Sequence, residues 1–225
     1  MKLQSRFKES TKMACPMGFT MEDLERRLRN DAEQDLLDHV YPDAKPFDTI
    51  AQPNEIRRYA KETIYLSGGH YALLMQWLQP GLARGAVEHS EFNPRLLEHL
   101  QTTTRLLNAI IFGTELEKRA IFHMVNKKNA LVVGEGYSAE DPELHKWTAA
   151  TLFMSLKMVH EAFFRKLDRR EEERLLREAA IYGTSLKMPP DMWPKDLDAF
   201  YEYWDYNIET LTVTEWAKTL FKQLM

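Results

Sequence analysis

Helical periodicity runs along almost the whole chain, and this feature most constrains the fold. Alternating apolar and polar residues, which mark half-buried strands, are nearly absent. Only nine glycines and ten prolines interrupt the 225 residues. Hydrophobic residues make up 44% of the chain, enough to bury a substantial core. The pattern predicts an all-α protein, a single-domain bundle of about eight to ten helices.

The domain is expected to span residues 20–225, after a flexible N-terminal tail at residues 1–19. The tail is basic but lacks a continuous apolar stretch, so it does not resemble a signal peptide. No apolar run approaches the roughly 18 residues that span a bilayer. Cys15 is the single cysteine, so neither an internal disulfide nor a thiolate metal site can form. These features predict a cytoplasmic protein without a membrane span.

Charge and motifs exclude several classes of function. The net charge is -4, and basic residues are interleaved with acidic ones. A nucleic-acid-binding protein needs a basic face, which this pattern does not supply. The sequence contains no glycine-rich phosphate loop, no nucleophile elbow, and no histidine pair with a carboxylate at metal-binding spacing. We therefore expect no nucleic-acid partner and no metal site.

Local signals set several helix boundaries. Asp141 followed by Pro142 is a strong helix start, because Asp caps free amides and Pro lacks the donor that would be wasted there. Asn93-Pro94 is expected to open a long helix that ends at Gly113. A helix is also expected from about Asn54 to Leu66. The segment Gly134–Glu140 is predicted to be a loop.

Three segments resemble a known family. They are LSGGHYALLMQWLQPGLARGAVEHSEF (66–92), FGTELEKRAIFHMVNKKNALVVGEGYSAEDPELHKWTAATLF (112–153) and YGTSLKMPPDMWPKDLDAFYEYWDYNIETLTVTEWAK (182–218). Together they resemble the fungal endoplasmic-reticulum-bound oxygenases and the bacterial rubber oxygenases, which include latex-clearing protein. The resemblance points to the fungal branch. It implies an all-helical fold around a haem b pocket and oxidative cleavage of apolar substrates.

The chain departs from this family at the site itself. The resemblance places Asn129 where relatives carry the histidine expected to be the axial iron ligand. Asparagine is a poor ligand for haem, because its amide nitrogen has no available lone pair and its carbonyl oxygen is a weak, hard donor. His99 and Thr103 stand where many relatives have arginine followed four residues later by threonine. Ala149 stands where many relatives have histidine.

His99, Thr103 and Asn129 are the candidate catalytic residues. His99 and Thr103 are four residues apart, so they share one helix face and could donate hydrogen bonds to a substrate carbonyl. His99 could equally be a structural histidine near the start of a helix. Asn129 could donate an amide hydrogen bond to a ligand, or simply bond to the backbone, since a buried amide must be paired either way.

A second group is predicted to contact the substrate: Met75, Gln76, Glu88, His89, His123, Trp147 and Thr151. Glu88 could be a general base beside His89, although an inter-helix hydrogen bond is the simpler interpretation of His89. Trp147 is most simply a core residue whose indole N–H seeks an acceptor. His123 is the nearest alternative iron ligand, but six residues of helix separate it from Asn129, so the two point in different directions.

Three functions follow from these observations. The first is an enzyme without haem, metal or other cofactor that binds a small apolar substrate. It would catalyse a Diels–Alderase-like cyclisation in fungal secondary metabolism, because a cavity left by haem can hold an apolar molecule in a reactive fold. The second is a haem b oxygenase of polyene or terpenoid-like substrates, with His123 or His99 as axial ligand. The third is a non-catalytic binding protein. A homodimer is compatible with each.

Overall fold

The computed structural model describes residues 53–89 and 92–224, with side chains described at 53–89 and 101–224. The predicted tail at residues 1–19 and the first part of the predicted domain lie outside the described residues. The backbone of His99 is described, and its side chain is not.

The described part of the chain is mostly helical, which confirms the all-α prediction. It contains nine α-helices: α1 (Asn54–Ala60), α2 (Gly69–Gln76), α3 (Pro80–His89), α4 (Phe92–Phe112), α5 (Glu115–Asn129), α6 (Pro142–Phe163), α7 (Arg169–Thr184), α8 (Leu197–Thr210) and α9 (Glu215–Leu224). Short 3-10 helices cover Thr63–Gly68 and Pro190–Met192. None of the described helices combines the length and apolar character needed to cross a bilayer.

Two predicted segments differ in detail. The helix expected from Asn54 to Leu66 ends at Ala60, and Glu62 adopts an extended backbone before the 3-10 helix begins. The β-branched pair Thr63 and Ile64 follows directly, and such residues are less favourable in an α-helix.

The predicted loop after α5 contains a small hairpin. Strand β1 (Val133–Gly134) pairs antiparallel with β2 (Tyr137–Ser138). The turn between them uses Gly136 at φ +79°, a left-handed conformation that glycine adopts readily. Two-residue strands are too short to show an alternating pattern in the sequence.

Capping fixes the start of α6 where the sequence predicts it. The Asp141 carboxylate accepts a hydrogen bond from the backbone N–H of Glu143 at 2.9 Å, and Pro142 occupies the first turn. Capping of this kind is local, which is why the boundary could be predicted from two adjacent residues.

Helix α6 is the centre of the described fold. It packs most extensively against α7 and α2, and also contacts the first 3-10 helix. Trp147 is 1% exposed and stacks on Trp204 of α8, with 5.1 Å between the ring centroids. Farther along α6, Lys157 forms an ion pair with Glu172 of α7 at 2.6 Å, and Tyr201 of α8 hydrogen bonds to both. These contacts hold α6, α7 and α8 together, and α6 also packs against α2.

Candidate functional site

A cavity of about 380 Å³ lies between α4, α5 and α6, and we call it the main chamber. Most of its surface is apolar, although half of its sixteen lining residues have polar or charged side chains. A mostly apolar surface with polar groups placed in it is typical of a small-molecule site. The described residues that line it are Gln76, Leu82, Thr102, Thr103, Leu106, Leu107, Ile110, Val125, Lys128, Asn129, Ala139, His145, Thr148, Leu152, Tyr182 and Leu186.

Two of the three candidate catalytic residues line the main chamber together. Thr103 comes from the middle of α4 and Asn129 from the last residue of α5. The backbone of His99 lies one turn before Thr103 on α4. Residues four apart share a helix face, so we expect the His99 side chain on the same face as Thr103. Its contact with the main chamber stays a prediction. The structure thus places a hydroxyl and a carboxamide in the lining of one chamber.

Gln76 also lines the main chamber, and Thr151 supports it from behind. The Gln76 side-chain amide donates a hydrogen bond to the Thr151 hydroxyl at 3.2 Å. The Thr151 hydroxyl in turn donates to the backbone carbonyl of Thr148 at 2.8 Å, and Thr151 is fully buried. A primary amide has two N–H donors, so Gln76 can keep this bond and still donate to a ligand. Thr151 therefore positions Gln76.

Glu88 and His89 lie outside the main chamber, on exposed positions of α3. The Tyr137 hydroxyl donates a hydrogen bond to Glu88 at 2.6 Å, and Arg84 forms an ion pair with it at 2.7 Å. These bonds, first that from Tyr137 and then that from Arg84, lower the pKa of Glu88. Nε2 of His89 lies 3.1 Å from the carbonyl oxygen of Val133 in β1. Both residues therefore attach α3 to the hairpin, and their position does not support the predicted contact with substrate.

His123, Trp147 and Met75 also do not line the main chamber. His123 is exposed on α5, at a different angle from Asn129 as the helical geometry predicts. The indole N–H of Trp147 donates to the backbone carbonyl of Met75 at 3.0 Å. Trp147 is therefore a core residue that joins α6 to α2, and Met75 contributes its backbone to that contact.

His145 is a residue of the main chamber that the sequence analysis did not select. It is 4% exposed, and its Nε2 lies 2.7 Å from the carbonyl oxygen of Ala139. Its Nδ1 is buried and has no hydrogen-bond partner. Burial lowers the pKa of His145, so the ring is neutral at neutral pH. In the sequence it falls in the first turns of α6, where nothing indicates that the hairpin covers it.

Tyr182 of α7 is a second unselected residue of the chamber. It is 5% exposed, and burial raises its pKa, so its phenol keeps its proton throughout the neutral range. A neutral phenol can donate a hydrogen bond. Tyr182 is the first residue of the segment 182–218 that resembles the family, but its place in the sequence does not indicate that it lines a chamber.

A second chamber of about 150 Å³ adjoins the main chamber. It is bounded by one face each of α2, α4 and α6, together with residues of the first 3-10 helix. Five residues line both chambers: Gln76, Thr103, Leu107, Leu152 and Tyr182. The two hollows therefore share a wall, and three of its five side chains are polar.

The described donors do not fit a haem iron. A haem-binding histidine presents an open ring nitrogen to the metal. His145 is the one imidazole among the described side chains of the main chamber. Its Nε2 is hydrogen bonded to the carbonyl oxygen of Ala139, and its Nδ1 is buried and therefore not open to the chamber. Asn129 offers only a carboxamide. Among the described residues, no group of three or more His, Cys, Asp or Glu side chains is placed to hold a metal ion.

The chain belongs to the family of ER-bound oxygenase mpaB/B′ and rubber oxygenase catalytic domains, whose model matches residues 56–225. It is similar to the uncharacterized proteins Mb2261 of Mycobacterium bovis and Rv2237 of Mycobacterium tuberculosis. Each is 29% identical over 150 residues, which cover 63% of this chain and 59% of the relative. No solved structure matches. The match confirms the family predicted from the sequence. The fungal branch stays a prediction, since both relatives are mycobacterial.

Proposed function

We propose that this chain is an enzyme of an oxygenase-derived fold that cyclises an apolar small molecule without a cofactor. The observation that carries the proposal is that Thr103 and Asn129 line one chamber, whose surface is mostly apolar and whose described side chains offer no fitting iron ligand. The reaction class is a pericyclic cyclisation of the Diels–Alder type, in keeping with the setting of secondary metabolism.

Such a reaction suits a chamber that supplies shape and hydrogen bonds alone. An intramolecular Diels–Alder step converts three π bonds into one π bond and two carbon–carbon σ bonds. No proton, electron pair or co-reactant enters or leaves. Apolar walls can hold a flexible polyene with its reacting ends together, which lowers the entropic part of the barrier. Hydrogen bonds to a carbonyl conjugated with the dienophile stabilise the charge that develops on its oxygen.

The roles follow from the positions of the polar side chains. The Thr103 hydroxyl and the Asn129 amide are the proposed donors to the substrate carbonyl, and His99 is the third candidate. Gln76, held by Thr151, contacts the substrate from α2. The surrounding leucine and isoleucine side chains exclude water, and hydrogen bonds are stronger in such an environment.

Absorbance of the purified protein tests the cofactor part of the proposal. We expect no stoichiometric Soret band after expression with haem supplied in excess. We also expect Asn129→His to increase haem binding, because it supplies an imidazole at a position lining the main chamber, while Asn129→Gln should not. A full-occupancy Soret band in the unaltered protein would show a haem oxygenase instead.

Turnover in the absence of oxygen tests the reaction class. The probe is a polyene that carries a diene tethered to an α,β-unsaturated carbonyl, followed against its uncatalysed rate. We expect the same acceleration with and without dioxygen, and a loss of about tenfold in kcat/KM for Thr103→Val or Asn129→Leu, the size of one good hydrogen bond. His123→Gln, exposed on the same helix as Asn129, is the matched control and should retain full activity.

Two outcomes would overturn the proposal. Turnover that stops without dioxygen would indicate an oxygenase. Tight binding of such polyenes with no acceleration of any of them would indicate a non-catalytic binding protein.

A further inference from the structure

The second chamber lines up with the main chamber along α2. Gly69, Ala72, Leu73 and Gln76 line the second chamber, and their spacing of three and four residues places them on one helix face. Only Gln76, at the C-terminal end of that face, also reaches the main chamber. The face of α2 therefore leads from the second chamber toward the main one.

The shared wall between the chambers is where the polar side chains gather. Gln76 from α2, Thr103 from α4 and Tyr182 from α7 line both hollows. Leu107 and Leu152 are the apolar members of this wall. A hydrogen-bond acceptor placed here would face donors from three helices, with apolar surface on both sides of it.

The far end of the second chamber is shaped by small residues and is open. An added Cβ at Gly69 would meet no atom within 4 Å, and Gly69 itself is exposed. Next along the face, Ala72 presents only a methyl group and is 2% exposed. Leu66, which also lines this chamber, is 61% exposed. The second chamber therefore has room for a ligand and an opening toward solvent beside the 3-10 helix.

We propose that the two chambers form one elongated binding site, for a molecule with an internal carbonyl and an apolar arm on each side of it. The carbonyl lies at the shared wall, near Gln76 and Thr103, and Asn129 faces it from the side of the main chamber. One arm fills the main chamber and the other fills the second chamber toward Gly69. The small side chain of Ala72 therefore leaves room for the second arm. This inference rests on the proposed function, since it assumes that the main chamber binds the substrate.

Binding of straight-chain ketones tests this arrangement without requiring turnover. The probes are a long ketone with its carbonyl at the centre, its isomer with the carbonyl at one end, and a short methyl ketone that fits the main chamber alone. Dissociation constants are measured by calorimetry. We expect the central isomer to bind at least tenfold more tightly than the end isomer, because both of its arms are buried, each buried methylene strengthens binding about fourfold, and two more buried methylenes are enough for this difference.

Filling the second chamber should remove this preference. Ala72→Leu places three more carbon atoms in the chamber and should weaken binding of the central ketone by about tenfold or more. The short methyl ketone should bind as before. Gly69→Phe, at an open position, serves as a second blocking variant should Ala72→Leu fail to fold. His123→Gln, at an exposed position that lines neither chamber, is the control and should leave all three affinities unchanged.

The outcomes separate this inference from the proposed function. If the short ketone binds but blocking the second chamber leaves the central ketone unaffected, the two-chamber site is wrong and the proposed function stands. If no ketone binds the unaltered protein, both are contradicted. If Thr103→Val weakens the central ketone no more than it weakens an alkane of the same length, the carbonyl does not lie at the shared wall.

Discussion

Nε2 of His145 lies 2.7 Å from the carbonyl oxygen of Ala139, and this contact joins the second turn of α6 to the residue after β2. The carbonyl can only accept, so the ring carries its proton on Nε2 and leaves Nδ1 as a buried lone pair. The main chamber thus borders a neutral imidazole whose protonation would place an unpaired charge inside the fold.

The first prediction concerns the pH dependence of stability. Burial lowers the pKa of His145 below its usual value of 6.5, so the unfolded chain binds a proton more readily than the folded one. The free energy of unfolding should therefore fall as the pH drops below about 6.5. The free energy of unfolding can be measured with urea at several pH values between about 5 and 8. Its slope against pH should be smaller in the His145→Gln variant.

Two comparisons sharpen that measurement. His160 is also buried, and burial lowers its pKa, so it accounts for part of the remaining slope. Exposed His123 provides the control, since His123→Gln should leave the slope unchanged. Carboxylates with lowered pKa, such as Glu171 at about 2, lose their contribution only at lower pH than this window. An unaltered slope in His145→Gln would contradict the assignment of His145 as a neutral buried group.

The second prediction compares two adjacent glycines. A Cβ at Gly68 would clash with the Ser155 side chain and lie 2.9 Å from Cγ2 of Val159, whereas a Cβ at Gly69 would meet nothing within 4 Å. We expect Gly68→Ala to destabilise the fold by about 1–3 kcal/mol through overpacking. Gly69→Ala should stabilise it by about 0.5 kcal/mol, because Gly69 already has helical backbone angles. Equal effects in urea unfolding would show that α6 is not packed closely on the 3-10 helix.

The third prediction concerns the ion pair between α6 and α7. Lys157 and Glu172 are 2.6 Å apart, with 17% and 10% of their side chains exposed, and Tyr201 hydrogen bonds to both. Lys157→Met should cost about 3 kcal/mol, because it leaves the Glu172 carboxylate buried without a cation. Adding Glu172→Gln should recover much of that loss, since it removes the charge and keeps an acceptor for Tyr201. If the loss of stability of the double variant in thermal unfolding equals the sum of the losses of the two single variants, the two residues are not coupled and the prediction is wrong.

The fourth prediction concerns the indole of Trp147. Its N–H donates to the Met75 carbonyl at 3.0 Å. Trp147→Phe should destabilise the protein by about 2–3 kcal/mol, because it leaves that carbonyl without its donor and removes part of a buried ring. Trp216→Phe, on the partly exposed ring of α9, is the comparison and should cost less. Similar changes in the two denaturation midpoints would argue against Trp147 as a core residue.

Local interactions explain what could be predicted from the sequence. The start of α6 depends on Asp141 and Pro142, which are adjacent, so their pattern is visible in one chain segment. Thr103 and Asn129 were selected through the family resemblance, and the structure places both in one chamber. The predicted end of the helix from Asn54 was wrong, since Glu62 adopts an extended backbone that no nearby proline or glycine signals.

Tertiary contacts explain what could not be predicted. His145 is buried, and its ring donates a hydrogen bond to the carbonyl of Ala139, the residue after β2. The sequence does not show that this loop folds back onto α6. Glu88 and His89 resemble site residues by type, yet Tyr137 and Val133 engage them on the outside of α3. The second chamber depends on how the faces of α2, α4 and α6 meet, which no single segment encodes.

Leu73 belongs to two environments. It lines the second chamber, and it also packs in the cluster that contains Trp77 and the α9 residue Leu220. A guest that fills the chamber would therefore complete the packing around Leu73 from the other side. Binding of a ligand in the second chamber should then slow amide hydrogen exchange along α9. The terminal helix would thus report on occupancy of a chamber that it does not line.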